Sequence, residues 1–186
     1  MTNRTGLSPA PPSTANGARN TCRNGWVSNV FEYRQAQEIR DAFAKHAVAY
    51  LFIGKSGAVL LGFPDTTQDV DVFVQKTLEN GKRLVAALLE LGFALTEKQI
   101  LEIEQGRDFV QLKNGPFDLD LLYGPDGIER FEDAWARRVE IEGFHVCSID
   151  DIIASKVAAG RQKDRESLPR LEAFRTYLRD QERNQD

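Results

Sequence analysis

Apolar residues recur along most of this chain with two periods, and the switches between them mark out the elements. Ala36, Ile39 and Phe43 share one helical face ahead of His46, after which Tyr50, Leu51, Phe52 and Ile53 form a short apolar run suited to a buried strand. Beyond Gly54 the pattern predicts a short helix, Ser56 to Leu61, closed by Gly62 as a C-terminal breaker. A loop from Phe63 to Gln68 and a strand from Asp69 to Gln75 follow. Leu84, Val85, Leu88 and Leu89 draw a single apolar stripe along the next helix, which Gly92 ends.

Further on, Phe109 to Lys113 and Phe117 to Leu122 flank Asn114-Gly115, a two-residue turn signal, so the two runs are expected to pair as an antiparallel hairpin. Pro116 is tolerable there at a strand start. Ser148 with Asp151 resembles a capping box and opens a helix whose apolar side holds Ile149, Ile152, Ile153 and Val157, with Gly160 as its stop. A last helix is expected from Asp164 or Ser167 to Arg179, with Leu171, Phe174 and Leu178 inward and Pro169 confined to the neighbourhood of its first turn. The sum is an α/β (α+β) fold, a mixed β-sheet flanked by helices with a short helical C-terminal section. Residues 1–25, rich in Thr, Asn, Ser, Pro and Gly and without an apolar face, read as a disordered leader. The main domain is then expected at 26–147, with the helical section at 148–186 packed on it.

Composition narrows the function classes. The 186 residues carry a formal charge of -4. The first 25 hold Arg4, Arg19 and Arg23 and no acid, so residues 26–186 carry 21 basic against 28 acidic side chains. An acidic body argues against broad nonspecific nucleic-acid binding and leaves room only for a local basic cleft. No apolar run approaches the roughly 20 residues that cross a bilayer, and no secretory signal is legible, so a soluble cytoplasmic protein with no membrane partner is expected. Cys22 and Cys147 make neither a disulfide framework nor a zinc spacing, and His46 and His145 lack a second ligand. All four read as structural or incidental.

Chemistry gathers at Asp69 and Asp71. Two apart in a strand, their carboxylates project from the same face, about 6.5 Å apart at the backbone, while Val70, Val72 and Val74 face the core. Two acids on one face repel each other and are costly to desolvate, so a cation or solvent must compensate. Magnesium suits such hard oxygen ligands, because it keeps several waters and takes one or two carboxylates beside substrate phosphates. Similar pairs recur at Asp118/Asp120, Glu102/Glu104 and Glu140/Glu142, so the pair gains weight from the text before it: Ile53-Gly54-Lys55-Ser56, a glycine turn between strand and helix whose amides suit phosphate oxygens.

With Gly54 followed at a distance by Asp69-Val70-Asp71, the chain resembles the nucleotidyltransferase superfamily, the polymerase-beta-like fold. The short helix, the Gly62-Phe63-Pro64 turn and Thr67 look like its bacterial branch, which includes the nucleotidyltransferase toxins of type IV toxin-antitoxin systems. Lys55 stands where that pattern has Gly or Ser, and Asp65 where many relatives are basic. The resemblance implies a third carboxylate, matched by Asp120 with Asp118 as the alternative. It also implies a C-terminal segment matched by Lys156 to Asp164, in which Lys156 falls on the apolar side of its helix.

What the resemblance implies is transfer of a nucleoside monophosphate from a nucleoside triphosphate such as ATP to a hydroxyl of an RNA such as tRNA, a protein or a small molecule. Two magnesium ions about 3.5 to 4 Å apart would be held by Asp69, Asp71 and Asp120, with Asp120 helping to deprotonate the acceptor. Gly54, Lys55, Ser56, Thr67 and Lys156 would bind the nucleotide, and an antitoxin-like partner belongs to the same picture. Two alternatives stand beside it. One is a catalytically silent relative acting as a binding or antitoxin-type protein. The other is a P-loop NTPase or phosphotransferase ending in Gly54-Lys55-Ser56, discouraged because Ala49 occupies the place of its first glycine. Lys156 can also be read as reaching past apolar neighbours to solvent, and Asp164 as a helix cap.

Overall fold

The computed structural model describes residues 31–184, so the expected leader, together with Cys22 and Trp26, lies outside the described residues. Helix α1 (Tyr33–Lys45) leads into β1 (Tyr50–Phe52), and after the single residue Ile53 comes α2 (Gly54–Leu60). Strand β2 (Val70–Val74) returns antiparallel to β1, followed by α3 (Leu78–Glu90) and α4 (Glu97–Glu104). Next are a hairpin of β3 (Phe109–Leu112) and β4 (Leu119–Leu122), then α5 (Phe131–Ala136) and a second hairpin of β5 (Val139–Ile141) and β6 (Phe144–Val146). Helices α6 (Ile149–Ala159) and α7 (Gln162–Arg183) complete the described chain.

The strands form one sheet in the order β3-β4-β2-β1-β6-β5. Pairs β2/β4 and β1/β6 are parallel and the rest antiparallel, so the sheet is mixed, as expected. Strand alternation divides its side chains between two apolar layers. Val70, Val72 and Val74 of β2 join Tyr50, Phe52, Leu119 and Leu121 beneath α1, α3 and α4. Leu51, Ile53 and Phe73 point the other way, into a second layer with Phe131 of α5, Ile152 and Ile153 of α6, and Leu171 and Phe174 of α7. The C-terminal helices thus bury their apolar residues against the sheet face opposite α1 and α3.

Polar groups fix the strand ends. The buried side chain of Asn80 accepts from the Ala49 N–H at 2.8 Å and donates to the carbonyls of Ala49 and Gln75 at 2.9 and 3.0 Å. That ties the entry of β1 to the exit of β2. Thr77 caps α3 by accepting from the Asn80 N–H, and Ser148 caps α6 by accepting from the Asp151 N–H. Gly160, at φ 59, ends α6 in the left-handed conformation and turns the chain directly into α7.

Several expectations are corrected. Asn114-Gly115 is not a two-residue turn: the ladder closes with Leu112 opposite Leu119, so residues 113–118 form a longer loop. Neither Asn114 nor Gly115 has the positive φ that a tight hairpin turn would impose on it. Helix α7 starts at Gln162, which places Pro169 inside it rather than near its first turn. Pro169 and Arg165, whose carbonyl loses its helical donor, are both exposed, so that carbonyl is not left unpaired in the core. Val157 and Leu89, assigned to apolar faces, point outward. Helices α4 and α5 and the β5/β6 hairpin had no assignment from the pattern.

Candidate active site

Asp69 immediately precedes β2, and Asp71 is its second residue. Parallel pairing sets Asp71 directly opposite Asp120 on β4, and antiparallel pairing sets Asp120 opposite Gln111 on β3. Adjacent strands lie about 4.8 Å apart, so this register forces the carboxylates together on one face. Oxygens of Asp69, Asp71 and Asp120 all lie within 4.8 Å of one another. Asp118, the alternative third acid, falls before β4 and is not part of this group; its carbonyl instead accepts from the Val70 N–H.

The surroundings hold the acids in place. Thr67 donates its hydroxyl to Asp69 at 2.9 Å, and the Gln111 amide donates to Asp120 at 3.0 Å. Gly54 has a left-handed φ of +62, and a Cβ added there would lie 2.7 Å from Cγ of Asp71. The glycine therefore clears space for the Asp71 carboxylate as well as permitting the turn. Ser56, expected to offer its hydroxyl to a phosphate, is wholly buried. Its Oγ accepts from the Asp71 N–H at 2.9 Å and donates to the Ile53 carbonyl at 3.2 Å, pinning α2 to β2.

Electrostatically the group is unfavourable to itself. Burial, reinforced by Asp69 and Asp120, pushes the Asp71 carboxyl up to about 7. Burial also raises Asp120, opposed by its bond from Gln111 and aided by the charge of Asp69. Three carboxylates brought so close fit a hard divalent cation, which would take oxygen donors and relieve the repulsion.

The acids sit in a cleft of about 690 Å³. Gly54, Lys55, Thr66 and Thr67 line one part of it, Gln111 and Phe109 another, and Lys156 of α6, Arg161 of the following turn and Lys163 of α7 a third. Lys156 does point inward, but its expected anion is already supplied by the chain: Asp164, fully buried, accepts from Lys156 at 3.0 Å and from Arg161 at 2.6 Å. Burial would raise the Asp164 carboxyl, yet the hydrogen bonds from Arg161 and Lys156 outweigh it and hold it below the ordinary range. Asp164 is thus no helix cap; it fixes two cations at the cleft wall. Lys55 lies 3.6 Å from Asp65, which also binds Arg170 at 3.0 Å. The two departures from the resembled pattern, Lys55 and Asp65, compensate one another.

No protein-family model matches this chain, and no curated protein matches it. Among solved structures, a provisionally assigned nucleotidyltransferase from Thermotoga maritima superposes with a TM-score of 0.48 and 19% identity, covering 79% of this chain and 92% of that one. At that level the likeness says nothing of chemistry, which rests on the side chains of the cleft.

Of the residues expected from sequence, Asp69, Asp71, Asp120, Gly54, Lys55, Thr67 and Lys156 meet in this cleft, and Ser56 lies beneath it. Sequence reasoning missed Gln111 and the pairing role of Asp164. Gln111 was within reach, because it occupies the predicted hairpin partner of the Asp120 strand. A P-loop is excluded, since one residue separates β1 from α2 and leaves no loop to wrap a phosphate.

Proposed function

We propose that this chain transfers a nucleoside monophosphate from a nucleoside triphosphate to a hydroxyl acceptor, with divalent metal held by Asp69, Asp71 and Asp120. The observation that carries the reading is the convergence of these carboxylates from two parallel strands in a cleft that also holds Lys156, Arg161 and Lys163. Acids alone would repel a polyphosphate, and cations alone would bind it without activating it. A cleft with both suits a metal-bound triphosphate.

When bound there, divalent ions supply charge neutralisation at the reacting phosphorus and lower the barrier to deprotonating a hydroxyl. The chain's own residues do the rest. Asp120, oriented by Gln111, stands as the proton acceptor for the attacking hydroxyl. The hydroxyl oxygen forms a bond to the α-phosphorus as the bond to the leaving pyrophosphate breaks, and pyrophosphate departs with the electron pair. Lys163, which lines the same cleft, offsets the charge gathering on that leaving group, while Lys156 stays paired with Asp164 beside it. Thr67 keeps Asp69 turned toward its partners.

A catalytically silent binding protein is the second reading, favoured by the internal neutralisation of Lys156 and Arg161 on Asp164. Calorimetry separates the two. Nucleotidyl transfer requires triphosphate binding that depends on magnesium and is lost in Asp69→Asn/Asp71→Asn. Incubation with labelled triphosphates and pools of tRNA, protein and small hydroxyl compounds should then label one pool with wild type and none with the double variant. Equal, metal-independent binding by both proteins would leave the silent reading.

A further inference from the structure

The sheet face that carries the acids has a second row beside them. Register places Phe73 of β2 opposite Leu122 of β4, and Leu122 opposite Phe109 of β3. This apolar row runs parallel to the polar row Asp71, Asp120 and Gln111, two residues further along each of β2 and β4 and two back along β3, a separation of about 7 Å. Cover over it is incomplete. Phe131 of α5 packs on Phe73, ring centroids 5.1 Å apart, and buries it, whereas Leu122 is partly open and Phe109 is 50% exposed. Phe109 and Leu122 both line the cleft of the acids.

Building on the nucleotidyl-transfer reading, we propose that Phe109, supported by Leu122, is the platform on which the base of the donor nucleotide stacks. A nucleoside triphosphate has a polyanionic end and a flat aromatic end. The cleft offers cations and acids for the first, and in the adjoining row an uncovered ring for the second. A volume of about 690 Å³ falls within the range of small-molecule sites and exceeds what a triphosphate tail alone would occupy. Stacking on an aromatic ring tolerates any base, so Phe109 supports nucleotide affinity in general, with purines gaining most from their larger face.

Titration of the full-length protein with ATP, UTP and inorganic tripolyphosphate, each with magnesium, tests this against Phe109→Ala and Phe109→Trp. Tripolyphosphate should bind all three proteins alike, whereas ATP should bind Phe109→Ala about tenfold more weakly and UTP show a smaller loss. Phe109→Trp should keep ATP affinity, with emission, corrected for the wild-type signal, quenched by ATP and not by tripolyphosphate; this variant decides the matter should Phe109→Ala misfold. ATP binding that is unchanged in Phe109→Ala, or no tighter than tripolyphosphate in wild type, would overturn the platform and leave nucleotidyl transfer standing. Failure of wild type to bind either ATP or tripolyphosphate would instead remove the underlying reading. Because β3 is a sheet edge, a wild-type dimer that becomes monomeric in Phe109→Ala would assign the ring to a second copy of the chain and overturn the proposal.

Discussion

Gly54 leaves open the space that the Asp71 carboxylate fills: a Cβ on the glycine would fall 2.7 Å from Cγ of Asp71. The residue that a phosphate-cradle reading values for its amides is therefore equally a steric partner of the acid group. Gly54→Ala should displace Asp71 and strain a backbone at φ +62, a conformation that costs a residue with Cβ about 1 to 2 kcal/mol. The expected outcome is a lower melting temperature together with manganese binding weakened at least about tenfold. Unchanged manganese titration in a folded Gly54→Ala protein would show that the close approach does not position the acid.

Crowded, partly desolvated carboxylates also predict a trade between stability and binding. With burial, Asp69 and Asp120 all opposing ionisation of Asp71, removing its charge should help the metal-free protein. Asp71→Asn should melt higher than wild type in the presence of EDTA at neutral pH. Magnesium should raise the melting temperature of wild type and leave the variant nearly unmoved. A variant that melts lower than wild type without metal would mean that Asp71 serves the fold rather than a cation.

Much of this arrangement was legible because it depends on short-range periodicity. The period of 2 through Val70, Val72 and Val74 put Asp69 and Asp71 on one face, whereas Asp120 came from the family resemblance, since alternation puts Asp118 and Asp120 on the same face and cannot choose between them. Helix α4 escaped because Ile103 is its only wholly buried residue, too little to draw a stripe. Strands β5 and β6 are three residues each, with β5 largely exposed, and such short segments leave no pattern. The roles of Ser56 and Asp164 were hidden for another reason. Ser56 is defined by a bond to a strand 15 residues away, and Asp164 by the reversal of the chain at Gly160, and neither relation is local. The real hairpin loop was misread because Asn-Gly is a strong turn signal whatever the strands around it require.

The Lys55–Asp65 pair predicts a graded effect on anions. Asp65 is held by the Thr66 N–H and by Lys55 and Arg170, which together overcome its burial and lower its pKa. Lys55 is partly exposed on the cleft wall, and pairs of this kind contribute about 0 to 1 kcal/mol. Asp65→Asn should therefore change stability by less than about 1 kcal/mol while freeing Lys55 to bind phosphate groups, tightening tripolyphosphate binding severalfold. Lys55→Ala should weaken it, and Asp65→Asn should add nothing in the Lys55→Ala background. Equal gains from Asp65→Asn with and without Lys55 would assign the effect to general charge rather than to this lysine.

The final prediction concerns acid. Asp164 has no exposed side-chain surface and receives hydrogen bonds from both Lys156 and Arg161, so its carboxyl is held below the ordinary range near 4. For a depressed acid the sign is fixed: the folded protein binds this proton less readily than the unfolded chain does. Its stabilisation is fully present above the unfolded value and is lost as pH falls through the lower folded value. Wild type should therefore lose stability steeply below about pH 4, and Asp164→Asn should lack that part of the slope. At neutral pH the variant leaves Lys156 half-buried without its counter-charge, a loss at or below the lower end of the about 3 to 5 kcal/mol typical of broken buried pairs, since Arg161 and part of Lys156 reach solvent. Urea denaturation at intervals from pH 3 to 7 measures both effects. Curves that stay parallel across that range would show that folding leaves the proton affinity of Asp164 unchanged, so that Lys156 and Arg161 do not hold it as an ion pair and Lys156 takes its position from packing alone.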